Sequence, residues 1–271
     1  MNKFVSIVAI FISIIGFSES IAWPQSLSQP LYLIRYRSVG WNITVNLNQV
    51  PVLRRDKGGG QLPIGNLIVN GTNKIELNAK QLIDDADPLD VSLVYVKPSG
   101  DELVLTRWAE PPSKSNLAPI RREKDFQIQL PIVRVWENAP SVRSLSSDDE
   151  RLIFELVQKL ADAFKTKNLT LHDNLRALYF QEEAKESGST PAQVQVSNDE
   201  VLSRMFKSGT FDVQLRDRDR LEIRPYGRIV LVSAKASWPE DWVVLLRSDG
   251  QQFSLRDLLL SKIDGQWRLI N

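Results

Sequence analysis

Apolar and polar residues alternate with a period of two through much of the chain from Tyr32 to about Trp136. The clearest stretches are residues 41–47 and 74–77, in which every second residue is apolar. A period of two is typical of a strand with one buried face. Asn70-Gly71 precedes the second stretch and favours a tight turn, and Asn73 is expected to bond the backbone across this bend. Several such strands separated by turn residues predict an antiparallel β-sandwich.

The hydrophobic period changes near Ser147. Residues 138–146 are polar and are interpreted as a linker between two domains. Ser147 and Glu150 have the spacing of a capping box, and Asp148 and Asp149 place negative charge in the first helical turn. The apolar residues that follow fall on one stripe of a helix: Leu152, Ile153, Leu156, Val157, Leu160, Ala161 and Phe164.

Two more helices are predicted before the chain returns to strands after Gly209. The second helix covers roughly residues 171–186 and ends at Ser187–Pro191. The third is expected to be short and to be capped by residues 197–200. In the strand region, Asp249-Gly250 and Asp264-Gly265 are the residue pairs of hairpin turns that need positive φ.

The end of the chain carries the closing motif Asp264-Gly265-Gln266-Trp267-Arg268-Leu269-Ile270. Together with the helix text at residues 156–169, this motif resembles the NTF2-like (cystatin-like) α+β family over residues 147–271. That resemblance implies helices packed on a curved antiparallel sheet, forming a cone that is a pocket in some members and filled in others. Residues 41–77 are similar to immunoglobulin-like and jelly-roll-like modules of exported proteins.

The first residues predict export. Lys3 precedes an apolar run from Phe4 to Phe17, which has the length of a signal-peptide core and is short for a membrane span. Ser20 and Ala22 are the small residues expected before a cleavage point. The predicted organisation is a signal peptide at 1–22, a β-sandwich at 23–137, the linker at 138–146 and an α+β domain at 147–271. An uncleaved membrane anchor is the alternative for the first segment.

Composition narrows the classes of function. The chain is 42% hydrophobic and 25% charged, with a formal net charge of +1, so it has no global electrostatic attraction to nucleic acid or an anionic membrane. It contains no cysteine, which excludes disulfides, thiolate metal sites and a cysteine nucleophile. No second long apolar segment follows the first. We therefore expect a bacterial protein that is periplasmic or secreted.

Candidate catalytic chemistry is sparse. His172 is the sole histidine, and its place beside Asp173 at a predicted helix start favours a polar surface role. One histidine without cysteines or carboxylates at ligand spacing argues against a metal site. No motif ties a nucleophile to a base, so we predict no catalytic residues, no metal and no cofactor.

Surface candidates are more numerous. Trp238 and Trp242 flank a polar turn and are the pair that we expect to contact a partner or stack on a sugar. Residues 216–220 alternate in charge, which on a strand would place arginines on one face; a solvated hairpin with internal ion pairs is the simpler interpretation.

These features favour an exported, non-catalytic binding protein that contacts an envelope protein. One alternative is a small-molecule binder or a cofactor-free enzyme that uses the cone, for which the possible pocket residues are Asp212, Tyr179 and Tyr226. Another is a carbohydrate-binding sandwich with Trp41 and Trp108 as platforms, although these rings are expected in its core. The family resemblance also implies a possible homodimer.

Overall fold

The computed structural model describes residues 31–271 except 56–57, 98, 114–117, 131–132 and 236–241. The predicted signal peptide lies outside the described residues. The chain divides into two compact units, one ending at Val133 and the other beginning at Arg134. Among the described helices, none combines the length and the hydropathy needed to cross a membrane.

The described strands of the N-terminal unit pair antiparallel, and a short 3-10 helix lies at Gly65–Leu67. Its two four-stranded sheets have the orders β4-β1-β6-β7 and β3-β2-β5-β8. The strands are β1 (Leu31–Arg37), β2 (Trp41–Leu47), β3 (Val50–Arg55), β4 (Gly59–Pro63), β5 (Gly71–Gln81), β6 (Leu89–Val96), β7 (Glu102–Glu110) and β8 (Ile120–Ile128). This arrangement agrees with the predicted all-β, sandwich-like N-terminal region.

The alternating stretches form the strands for the expected reason. Trp41, Ile43, Val45 and Leu47 on β2 are at most 2% exposed, while the residues between them are not buried. The prediction for Asn73 is also confirmed, because its amide bonds both the N–H and the C=O of Val69 at 2.8 Å. Since Asn73 is fully buried, these bonds satisfy polar atoms that would otherwise destabilise the sheet.

The C-terminal unit combines three helices with two antiparallel sheets. Its sheets have the orders β13-β12-β9 and β10-β11-β14-β15. Only Arg256 separates β13 from β14, so one nearly continuous stretch of chain contributes to both sheets. The elements are α1 (Ser147–Lys165), α2 (Leu169–Ser187), α3 (Pro191–Phe206), β9 (Phe211–Leu215), β10 (Leu221–Tyr226), β11 (Ile229–Ala234), β12 (Val244–Ser248), β13 (Gln251–Leu255), β14 (Asp257–Ile263) and β15 (Gln266–Leu269).

Helix boundaries correct two sequence expectations. The third helix begins at Pro191 instead of near residue 197, because Thr190 and Gln193 form a capping box and Pro191 occupies the first helical turn. Residues 197–200 therefore lie inside the helix. The first helix is capped by Ser146, whose hydroxyl accepts the N–H of Asp149 at 3.1 Å.

The charged run at 216–220 also differs from a regular strand. Residues Arg218–Arg220 form a 3-10 turn, and Arg216 is only 4% exposed. The internal ion pair that was expected is present between Arg220 and Asp217 at 3.5 Å. Period-two alternation of charge therefore did not specify a strand here.

Residues preceding α1 are anchored to the C-terminal unit. Arg134 and Glu182 are 2% and 3% exposed, and their charged groups lie 3.8 Å apart. Glu182 also accepts the backbone N–H of Val135 at 3.3 Å and a bond from Lys185 at 2.7 Å. A buried carboxylate needs such partners, and they attach residues 134–135 to α2.

The core of the C-terminal unit lies between α1 and the two sheets. Ile153, Val157, Leu160 and Phe164 form the buried face of α1, whereas Leu152, one position away, is 44% exposed. Trp267 of β15 belongs to this core and is 8% exposed. Its indole N–H donates to Asp149 Oδ1 at 2.9 Å.

Asp149 joins three elements at this point. It accepts Lys262 Nζ from β14 and Trp267 Nε1 from β15, each at 2.9 Å, while its backbone is held by the helix cap. The bond from Lys262, followed by those from Ser146 and Trp267, keeps the pKa of Asp149 well below its ordinary value. The carboxylate thus stays ionised down to unusually low pH.

We expect Asp149→Ala to lower the free energy of unfolding at neutral pH by about 1–3 kcal/mol, because it leaves the buried indole N–H unpaired. A depressed pKa contributes stability above the unfolded pKa of about 3.9 that disappears as pH falls through the folded pKa. The difference from wild type should therefore shrink in acid. Urea unfolding at several pH values measures it.

Asp148→Ala is the matched control, since the Asp148 side chain is 85% exposed in the same helical turn. Equal effects of the two substitutions would contradict the role given to Asp149.

Candidate functional site

The sequence predicts a partner surface at Trp238 and Trp242. Trp238 lies outside the described residues. Trp242 is partly exposed, and the guanidinium carbon of Arg216 lies 4.0 Å from the centre of its ring. Arg216 Nε also donates to the carbonyl of Trp242 at 2.7 Å. The buried arginine therefore fixes both the backbone and the ring of Trp242.

The three proposed pocket residues lie in different surroundings. Asp212 is exposed on β9, with Arg247 at 3.8 Å. Tyr226 ends β10, where it pairs with Ile229 across a hairpin. Tyr179 lies on α2 beneath the guanidinium of Arg176, at 4.0 Å from the ring centre. None of the three lines the groove or the cavity described below.

An open groove runs along the start of α1 and β10. Its volume is about 560 Å³. The groove carries charges of both signs, and the side chains of Arg218 and Glu150 are 50% and 46% exposed. Arg218 also lies 5.6 Å from the centre of the Phe154 ring. The lining residues are Glu150, Arg218, Asp219, Leu221, Glu222, Ile223 and Lys235.

The groove and Trp242 adjoin along the chain. Arg216, which holds Trp242, is two residues from Arg218 of the groove wall. Lys235 bonds the carbonyl of Asp219 through its ammonium at 2.5 Å. We call Trp242, Arg216 and the groove residues together the Trp242 surface.

His172 corrects the expectation of a surface histidine. It is fully buried on α2, and its ring lies between Phe164 and Phe180, with centroids 5.3 and 6.2 Å away. Its Nδ1 is 2.9 Å from Asp173 Oδ1. Burial lowers the pKa of His172, and the hydrogen bond to Asp173 opposes this shift. The neutral ring is therefore favoured, with its proton on Nδ1.

Asp173 is joined by a second carboxyl group from α3. Gln195 Nε2 donates to Asp173 Oδ2 at 2.8 Å. Burial opposes ionisation of Asp173, but hydrogen bonds from His172 and Gln195 outweigh it and keep the pKa of Asp173 low. For Asp199, burial and then the charge of Asp173 raise the pKa to about 6. The pair therefore carries one negative charge over a wide range of pH.

The ligating atoms of His172, Asp173 and Asp199 all lie within 4.8 Å of one another. Among the described residues, these three have the spacing of potential metal ligands. However, Nδ1 and Asp173 already bond each other, and Arg176 adds a positive charge that lowers the pKa of His172. These atoms fit a proton-sharing cluster better than a cation site.

A small cavity of about 20 Å³ lies on the other side of the His172 ring. Its polar lining consists of His172, Arg176, Asn198 and Ser254, and its apolar lining comes from α1, α3, β12 and β13. One buried atom of each polar residue has no partner among the described residues: His172 Nε2, Arg176 Nε, Asn198 Nδ2 and Ser254 Oγ.

Sequence reasoning missed this cluster. His172, Arg176 and Phe180 recur every four residues on α2, and Val194, Asn198 and Leu202 do so on α3, so each set shares one helix face. That spacing is a usable signal, but it is hidden when only apolar residues are counted. The misplaced start of α3 also put Asn198 and Asp199 in a cap instead of on a buried face.

Comparisons with protein-family models, curated proteins and solved structures found no match to this chain.

The raised pKa of Asp199 predicts that its contribution to stability changes with pH in the opposite direction to that of Asp149. Its pKa is raised, so its contribution to stability is complete below the unfolded pKa of about 3.9 and is lost as pH rises through about 6. The stability of wild type relative to Asp199→Asn should fall across this interval. Urea unfolding of both proteins as a function of pH measures the difference.

Asp162→Asn serves as the control, because Asp162 is exposed on α1. A constant difference between wild type and Asp199→Asn from pH 4 to pH 7 would show that Asp199 does not titrate abnormally.

Proposed function

We propose that this chain is an exported, non-catalytic binding protein of the cell envelope. In this proposal an immunoglobulin-like or jelly-roll-like sandwich precedes an NTF2-like domain, and the Trp242 surface contacts a protein partner. Export rests on the signal-like segment at 1–22, and the NTF2-like assignment rests on the closing hairpin around Trp267 and the helix that precedes it.

The filled interior of the C-terminal unit is the observation that carries the proposal. Trp267 and the apolar face of α1 belong to one buried hydrophobic core of the C-terminal unit. The buried cavity beside His172 has a volume of about 20 Å³, far below the roughly 300–1,000 Å³ of typical small-molecule sites. An interior ligand of metabolite size is therefore disfavoured, and binding is expected on the surface.

The burial of Trp41 argues against the carbohydrate-binding alternative, which needs Trp41 and Trp108 as exposed platforms. Trp41 is 2% exposed, and its indole N–H donates to the carbonyl of Asp87 at 2.7 Å. Trp108 on β7 is half-buried opposite Val91. Such rings stabilise the N-terminal unit and leave little face for a sugar.

The Trp242 surface has features of a protein interface. Aromatic and arginine side chains are enriched at contact centres, and Arg216 holds Trp242 in one orientation before any partner arrives. The groove, whose Arg218 follows Arg216 closely along the chain, offers Arg218 and Lys235 together with Glu150 and Glu222, and these groups can pair with charges of either sign.

Crosslinking of the tagged full chain in its own cells tests the proposal. We expect one envelope protein to be crosslinked to wild type, and Trp242→Ala and Arg218→Glu each to weaken purified binding at least tenfold, or about 1.4 kcal/mol. Trp108→Ala and Lys159→Glu are matched controls that should retain binding, since Lys159 is an exposed cation of α1.

Retention of the partner by both Trp242-surface variants would overturn the assignment of the surface. A stoichiometric adduct of metabolite size in native mass spectrometry of the purified chain would overturn the protein-partner role and favour a small-molecule-binding function.

A further inference from the structure

The cavity beside His172 concentrates buried polar atoms that lack hydrogen-bond partners. His172, Asn198 and Ser254 are 0%, 5% and 4% exposed, and each lines this space and carries a buried polar atom without a hydrogen-bond partner among the described residues. Arg176 adds a buried Nε to the same lining. Buried polar atoms without partners are uncommon and costly, so four around one cavity indicate that a ligand completes them.

The chemistry of these four atoms restricts the ligand. Arg176 Nε and Asn198 Nδ2 are always donors, and Ser254 Oγ can donate. Asp173 fixes a proton on His172 Nδ1, so Nε2 becomes a donor when the ring takes up a second proton. In that state four donors face the cavity, an arrangement suited to an anion and unfavourable for a cation.

The size of the cavity restricts the ligand further. About 20 Å³ accommodates one water molecule or one monatomic anion, whereas tetrahedral oxyanions need more room. Phe164, Leu202, Leu246 and Phe253 form apolar walls, which strengthen electrostatic attraction inside the cavity.

We propose that this cavity binds one halide-sized monovalent anion together with a proton on His172. Arg176, Asn198, Ser254 and the protonated ring donate to the anion, and Asp173 balances the charge of the ring. When His172 is neutral, its Nε2 lone pair repels an anion and accepts from a water molecule instead. Uptake of the anion is thus linked to uptake of a proton.

The charged groups around His172 are consistent with this linkage. On α2, Asp173 favours the imidazolium and Arg176 disfavours it. On α3, Asp199 shares a proton with Asp173 and Gln195 bonds Asp173. Phe164 is the ring that packs from α1, and the lining residues of β12 and β13 carry no charge. An anion in the cavity offsets Arg176 and so raises the pKa of His172 toward the physiological range.

Diffraction from crystals of the full chain grown in sodium bromide tests the site directly. We expect one anomalous bromine peak in the cavity at about pH 5 and a water molecule without anomalous signal at about pH 8. A water molecule at both pH values, or an empty cavity at pH 5, would overturn the proposal.

Binding in solution provides a second measurement. Thermal unfolding is compared in sodium bromide and in sodium gluconate at equal ionic strength, because gluconate is too large for the cavity. We expect bromide to raise Tm more at pH 5 than at pH 8, with its apparent Kd increasing about tenfold per pH unit above the pKa of His172. Equal stabilisation by both salts would contradict the site.

Variants separate the site from general salt effects. Ser254→Ala removes one donor with little change of volume and should weaken bromide binding roughly tenfold. His172→Gln should remove the pH dependence. Ser248→Ala is the matched control, a buried serine that bonds Ser208 at 2.8 Å outside the cavity. Unchanged bromide affinity in Ser254→Ala would refute the assigned ligands.

Discussion

Burial of the Trp267 indole against α1 is the contact on which the C-terminal unit depends. A large ring can lie in an apolar core only when its N–H finds an acceptor, and Asp149 supplies that acceptor from the first turn of α1. The same carboxylate bonds Lys262 of β14, and Ser146 caps the helix at the Asp149 backbone. The start of the helix, its position over the last two strands and the closure of the core are therefore set by one group of bonds.

The layer formed by α2 and α3 follows a different principle. Its buried faces include His172, Arg176, Asn198 and Glu182, so packing there depends on pairing polar atoms as well as on excluding water. Glu182 Oε1 accepts from the Val135 N–H and from Lys185, whereas Oε2 has the ion pair with Arg134 at 3.8 Å. The side of His172 that faces Asp173 is also satisfied, whereas the side that faces the cavity is not. Four buried polar atoms without partners among the described residues belong to residues that line this one cavity, and that concentration gives the asymmetry its significance.

The sequence was most informative where a single physical period dominates. Alternation on β2 and β5 and the apolar stripe of α1 each reflect one buried face, so strands and helix could be predicted from residue type alone. It was least informative on α2, where polar and apolar residues share the buried face and hydrophobic period carries little information. Thr190 and Gln193 form a capping box that identifies the start of α3, but Ser197–Glu200 has a similar composition and competed with it. The cavity depends on four residues from three elements, so no local pattern could reveal it.

The tryptophans show how the same side chain serves a core or a surface. Trp41 and Trp267 are almost fully buried, and each donates its N–H to a fixed acceptor, Asp87 or Asp149. Trp242 is instead held by the buried Arg216, which donates to its carbonyl and lies over its ring. Part of the Trp242 side chain stays exposed. A ring that is already held in place loses less side-chain entropy when a partner binds to it. This held ring and the mixed-charge groove are the described surface features on which the proposed protein contact rests.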